Sequence, residues 1–75
     1  MSDHVMERLV HVFGRARGEQ LYAETLESIG LSDIGGPNDE MRFADALIGR
    51  GGLHEAIGRS LRVRALLHGA SRASP

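Results

Sequence analysis

Apolar and polar positions alternate with a helical period in four stretches of the chain, and glycines separate each stretch from the next. In the first, Val5, Met6, Leu9, Val10, Val12, Phe13 and Ala16 share one broad face, with His4, Glu7, Arg8, His11 and Arg15 on the other. This predicts a helix capped by Ser2 or Asp3 and running to about residue 16. Acids at its start (Asp3, Glu7) and arginines at its end (Arg15, Arg17) suit the helix dipole, and Gly18 reads as the stop. A second helix is predicted over residues 19–29, with Leu21, Tyr22, Leu26 and Ile29 inward, Glu24 and Glu27 outward, and Gly30 ending it. Residues 31–36 read as a loop that Ile34 anchors to the core.

Pro37 fits the first position of a third helix, where its missing N–H would be unpaired in any case. Asp39 and Glu40 then add acids to the first turn, and Met41, Phe43, Ala44, Leu47 and Ile48 make a wide apolar face. Residues 49–52, three glycines around Arg50, reverse the chain. The fourth stretch, residues 53–68, is the longest. Leu53, Ala56, Ile57, Ser60, Leu61, Val63 and Leu67 gather on one arc, and Arg64 falls within it. An unpaired buried guanidinium is too costly to be tolerated. Arg64 therefore requires an acid from another helix or chain, a helix displaced near Gly58, or a partly extended run over residues 61–67. Ala and Leu favour the helical reading.

Composition adds constraints. A chain of 75 residues makes one domain and hides only about 60% of its unfolded surface, so its core needs help. There is no Cys, which excludes disulfides and thiolate metal sites, permits a reducing compartment and leaves oligomerisation or a partner as the aid. No apolar run approaches the ~20 residues of a membrane span, and no basic region followed by an apolar one marks a signal peptide. A cytoplasmic location is expected.

Charge is the most informative pattern. Residues 18–49 hold seven acids and one Arg, a sum of −6, whereas residues 50–75 hold five Arg and one Glu, a sum of +4. All nine basic residues are Arg. A GC-rich genome explains that usage as simply as selection for bidentate contacts does. The acidic helices packing beside the basic one explain the segregation without a partner. The functional alternatives are an Arg-bearing face that docks on an acidic protein surface, or contacts to nucleic acid through Arg59, Arg62 and Arg64.

Other chemistry is weakly signalled. His4, Glu7 and His11 lie within about 60° on one helix face and would suit a divalent metal, but so does a plain solvated face. The glycines around Arg50 lack the preceding strand and the Lys-Ser/Thr pair of a phosphate loop. Asp33, Asp39 and Glu40 miss the calcium-loop spacing. No nucleophile pattern surrounds Ser28, Ser32 or Ser60. The third and fourth helices have the order of a helix–turn–helix, but the acidic third helix would repel the backbone it must cross. Residues 21–31 (LYAETLESIGL) and the later IGRSLRVRALL are similar to fragments of sterile-alpha-motif interaction domains. That likeness covers two short pieces without the expected aromatic residues, and it assigns no family.

The expected fold is all-α, a single-domain bundle of about four helices over residues 1–69 that self-associates, followed by a flexible tail at residues 70–75. The expected role is a non-catalytic regulatory or adaptor module, without cofactor or metal. It would bind another protein, and itself, through an apolar, Arg-flanked helical face. Arg59, Arg62 and Arg64 are the interface residues of that reading, with Glu24, Glu27, Asp39 and Glu40 as acidic counterparts. A DNA-binding regulator that uses the fourth helix is the alternative.

Overall fold

The computed structural model describes residues 3–69, a single all-α domain of four helices with no strand among them. They are α1 (Asp3–Phe13), α2 (Arg15–Ser28), α3 (Pro37–Ile48) and α4 (Gly52–Leu67). The tail at residues 70–75 and the Ser2 cap lie outside the described residues. Packing is most extensive within two helical hairpins, α1–α2 and α3–α4, with α2 against α3 as a lesser contact. Val5 and Leu9 from α1, Leu21, Tyr22 and Leu26 from α2, Phe43 and Leu47 from α3, and Ile57 and Leu61 from α4 fuse the hairpins into one core. Ile34 closes it from the loop, as its place in the sequence suggests. The rings of Tyr22 and Phe43 lie 5.5 Å apart at its centre.

The first helix boundary differs from the one that periodicity predicts. The α1 helix ends at Phe13, and Gly14 turns the corner with φ 89°, a backbone conformation that strains any residue with a Cβ. Arg15 and Arg17 therefore open α2 instead of closing α1. There they face the positive end of the dipole, partly offset by the Arg15–Glu19 pair one turn on. Gly18 is no stop. It is buried inside α2, and a Cβ built on it would lie 2.7 Å from the Cα and N of Val10, so α1 and α2 touch backbone to backbone.

Other ends follow the predicted logic. After α2, the Leu31 N–H donates to the Leu26 carbonyl and the Gly30 N–H to the Glu27 carbonyl, the paired bonds of a glycine-centred C-terminal cap. Leu31 also packs on the core beside Leu26. Pro37 occupies the start of α3, and the Asp39 carboxyl group accepts the Gly35 N–H at 2.9 Å.

The fourth stretch is helical throughout, so no part of residues 61–67 is extended. Its buried side overlaps the arc that the sequence suggests only at Ile57 and Leu61. Ile57, Gly58, Leu61 and Ala65 face the core, whereas Leu53, Val63 and Leu67 are exposed. Gly58 explains the rotation. A Cβ there would meet the Ala44 carbonyl oxygen at 2.7 Å and the backbone N of Ile48 at 2.9 Å, so α4 is seated on α3 through a residue with no side chain. The position expected to displace the helix is the one that docks it.

These contacts predict opposite outcomes for two glycines. Gly58→Ala forces α4 off α3, and the overpacking outweighs the gain in helix propensity, a net loss on the order of 1 kcal/mol or more in a urea melt. Gly49 has φ −64°, and a Cβ there finds only ordinary contacts. Gly49→Ala therefore leaves stability unchanged or raised by about 0.5 kcal/mol.

Candidate functional site

Two features of the surface stand apart from a uniform solvated shell. The first is a buried carboxyl group where three helices meet. Glu40 lies one turn before Phe43 and Ala44 and two turns before Leu47, so it shares their inward side and is only 4% exposed. His4 Nε2 from α1 is 2.9 Å from Glu40 Oε2, and Arg64 Nε from α4 approaches the same oxygen at 4.0 Å. With the Nε2–H tautomer, His4 donates and the buried acid is satisfied. No buried side-chain nitrogen or oxygen among the described residues lacks a partner. At the other end of α1, the Phe13 ring stacks on His54 of α4 with centroids 5.2 Å apart. The first helix is thus tied at both ends to the α3–α4 hairpin.

Between those ties runs an open groove of about 460 Å³, lined by His4, Glu7, Arg8 and His11 from α1 and by Leu61 and Arg64 from α4. A smaller recess of about 180 Å³ adjoins it and shares His4 and Arg64. The three candidate metal ligands His4, Glu7 and His11 do line one groove, but His4 Nε2 is engaged by Glu40. Among the described residues, no group of three or more His, Asp or Glu side chains is placed to hold a metal ion.

The second feature is the outward face of α4. Leu53, Ala56, Ser60, Val63 and Leu67 follow one another at alternating intervals of three and four, the spacing of a single stripe on a helix. Leu53 is 55% exposed, Val63 57% and Leu67 81%, and Ala56 is exposed between them. The stripe runs over fifteen residues, with about 21 Å between its ends. Arg59 borders it on one side, with Arg62 beyond, and Arg64 borders the other. At 100° per residue, Arg59 and Arg64 are about 140° apart with the apolar stripe between them.

The predicted interface residues thus divide. Arg59 Nη2 and Nε donate to Glu55 Oε2 at 2.6 and 2.9 Å, an exposed pair one turn apart on α4. Arg62 lies 3.8 Å from Asp45 of α3, an acid the sequence reading did not single out. Arg64 has Glu40, so its counter-charge comes from another helix of the same chain. Much of the charge segregation is answered within the chain, where acidic α3 lies beside basic α4. Asp39 is occupied by Gly35, and Glu40 is buried and not a surface acid. Glu24 and Glu27 are exposed on α2, away from the α4 arginines, and Glu24 accepts from Gln20 at 3.0 Å.

The exposed stripe was the part of the surface hidden from sequence reasoning, although the signal was present. Two sets of apolar and small residues, 57/58/61/65 and 53/56/60/63/67, run along the same helix. Only the first includes a glycine small enough to seat α4 on α3.

No helix among the described residues is long and apolar enough to cross a membrane. No protein-family model matches this chain, and neither a curated protein nor a solved structure does.

The junction at Glu40 has a direct test. Glu40→Ala leaves His4 and Arg64 without their shared partner and opens a buried space, lowering unfolding stability by about 1–3 kcal/mol. Glu27→Ala, on the exposed side of α2, changes it by no more than about 0.5 kcal/mol. Chemical denaturation of the two variants checks the difference.

Proposed function

We propose that this chain is a non-catalytic protein-interaction module of the regulatory or adaptor kind, and that it docks on another protein through the outward face of α4. The observation that carries the reading is the line of Leu53, Ala56, Ser60, Val63 and Leu67, of which all but half-buried Ser60 are left in solvent while the core is completed without them. A small domain gains nothing in folding from three large apolar side chains held in water, and a contiguous apolar face is the usual mark of a docking site. Arg59 and Arg64 at its borders would orient the approach of a partner, with Arg62 outside them.

The exposed large apolar side chains lie chiefly on α4, with Val12 of α1 the one other among the described residues. Arg64 is answered by Glu40 within its own chain, which removes one of the two grounds for expecting a second copy. The other ground, a small core that needs help, is met equally by a different protein.

The same geometry weakens the DNA-binding alternative. A recognition helix presents its basic side chains along one side that enters the groove. Here Arg59 and Arg64 are separated by an apolar stripe, Arg62 and Arg64 each lie within 4.0 Å of an acid on α3, and α3 is itself acidic. In sedimentation velocity, the protein is expected to move independently of a short DNA duplex at low and moderate salt. Salt-sensitive co-sedimentation would favour the nucleic-acid reading instead.

The docking face is tested by Val63→Glu with Leu67→Glu. Both sites are exposed, so the double variant retains its helical signal and its melting midpoint. Protein partners retained by the immobilised wild-type chain are lost from the variant. Retention of the same partners by both would contradict the proposal.

A further inference from the structure

We infer that the occupant of the α4 face is an amphipathic α-helix of a different protein, with an apolar seam bordered on both sides by Glu or Asp. This rests on the reading of that face as a docking surface and adds the chemistry of the partner.

Three observations lead to it. The first is the period. Alternating intervals of three and four over about 21 Å match the knobs of a partner helix, whereas a partner strand would require contacts at a period of two. Ala56 and Ser60, small residues between Leu53 and Val63, let a second helix axis come close at mid-stripe, while Leu53, Val63 and Leu67 supply the large knobs.

The second is charge. The charged residues bordering the stripe are Arg59 on one side and Arg64 on the other, and Glu55 lies beyond Arg59. The Arg59–Glu55 pair is exposed, so it is weakly held and readily exchanged for a partner carboxylate. Arg64 is 45% exposed, and its Glu40 contact at 4.0 Å is longer than a hydrogen bond. Beyond Arg64 the groove continues with Arg8, His4 and His11, and its one exposed acid is Glu7. Both borders therefore offer guanidinium groups to incoming carboxylates.

The third concerns a second copy. Two α4 helices laid together through this stripe bring Arg59 or Arg64 against the same arginines of the other copy, in either orientation. Like charges at bordering positions oppose pairing of a helix with itself and select an oppositely charged partner. A helix with acidic borders repels its own copies in the same way and so is free to bind.

The experiment uses the full chain and a fluorescent synthetic peptide of about three heptads with Leu at the seam and Glu at both bordering positions. A control peptide carries Lys in place of Glu, and binding is read by fluorescence anisotropy. The Glu peptide is expected to bind saturably and to weaken about tenfold or more as salt rises to roughly 0.5 M. The Lys peptide binds at least about tenfold more weakly. Val63→Glu loses the Glu peptide with its melting curve unchanged, and Arg59→Glu narrows the preference between the two peptides.

Equal binding of both peptides, binding of neither, or undiminished binding by Val63→Glu would each overturn the inference. So would a concentration-dependent dimer of the chain alone that Val63→Glu dissolves, which would make the occupant a second copy. The two levels of the reading separate cleanly. If Val63→Glu with Leu67→Glu loses its protein partners but the Glu peptide fails to bind, the docking face stands and the acidic helix is excluded. If the double variant keeps its partners, both fall.

Discussion

The seating of α4 on α3 through Gly58 determines most of what is distinctive about this molecule. Because the would-be Cβ meets backbone atoms of α3, this side of α4 must face inward, and the rotation of the helix is fixed. Ile57, Leu61 and Ala65 are then carried into the core, and Leu53, Val63 and Leu67 are turned out into solvent. The same rotation sets Arg62 beside Asp45 and Arg64 beside Glu40. Core composition, charge pairing and the exposed stripe all follow from one close approach. Gly18 plays the matching part in the other hairpin, where α1 and α2 meet at Val10.

Buried Glu40 joins the two hairpins at one end of α1, and Phe13 stacked on His54 joins them at the other. A carboxyl group in that position is costly unless satisfied. His4 bonds it directly and Arg64 adds a favourable charge nearby, so residues from three helices hold one buried polar group. Each hairpin brings a part that the other lacks, which links the local folding of the hairpins to the specificity of their assembly. The acidic and basic halves of the chain are thereby partly neutralised inside the domain, where Arg62 and Arg64 lie beside acids of α3.

Much of this architecture was legible in the sequence. Four periodic stretches gave four helices, Pro37 and Gly30 marked the expected ends, and Ile34 was recognisable as a loop residue bound for the core. Gly14 and Gly18 were not distinguishable by pattern, because a glycine that turns a corner and one that lets two backbones touch read alike in one dimension. The same ambiguity concealed Gly58, whose role requires knowing what lies across from it. Glu40 was legible as an acid suited to the first turn of a helix. Its burial depended on the inward side it shares with Phe43 and Leu47. Among the candidate interface residues, Arg59 and Arg64 border one surface, Arg62 turns toward α3, and Glu24 and Glu27 lie apart on α2. Spacing along α4 contained both stripes, and only tertiary packing selects which is covered.

The central claim is that the solvent-facing stripe of α4 is where this domain meets its partner. The most direct measurement is amide chemical-shift mapping of the isotopically labelled chain as the Glu-bordered helical peptide is added. The account predicts that perturbations concentrate along residues 53–67 of α4, on the side of Leu53, Ala56, Ser60, Val63 and Leu67, and extend past Arg64 to Arg8 in the adjoining groove. Perturbations centred on the exposed face of α2 around Glu24 and Glu27, with the α4 stripe unchanged at saturation, would contradict it.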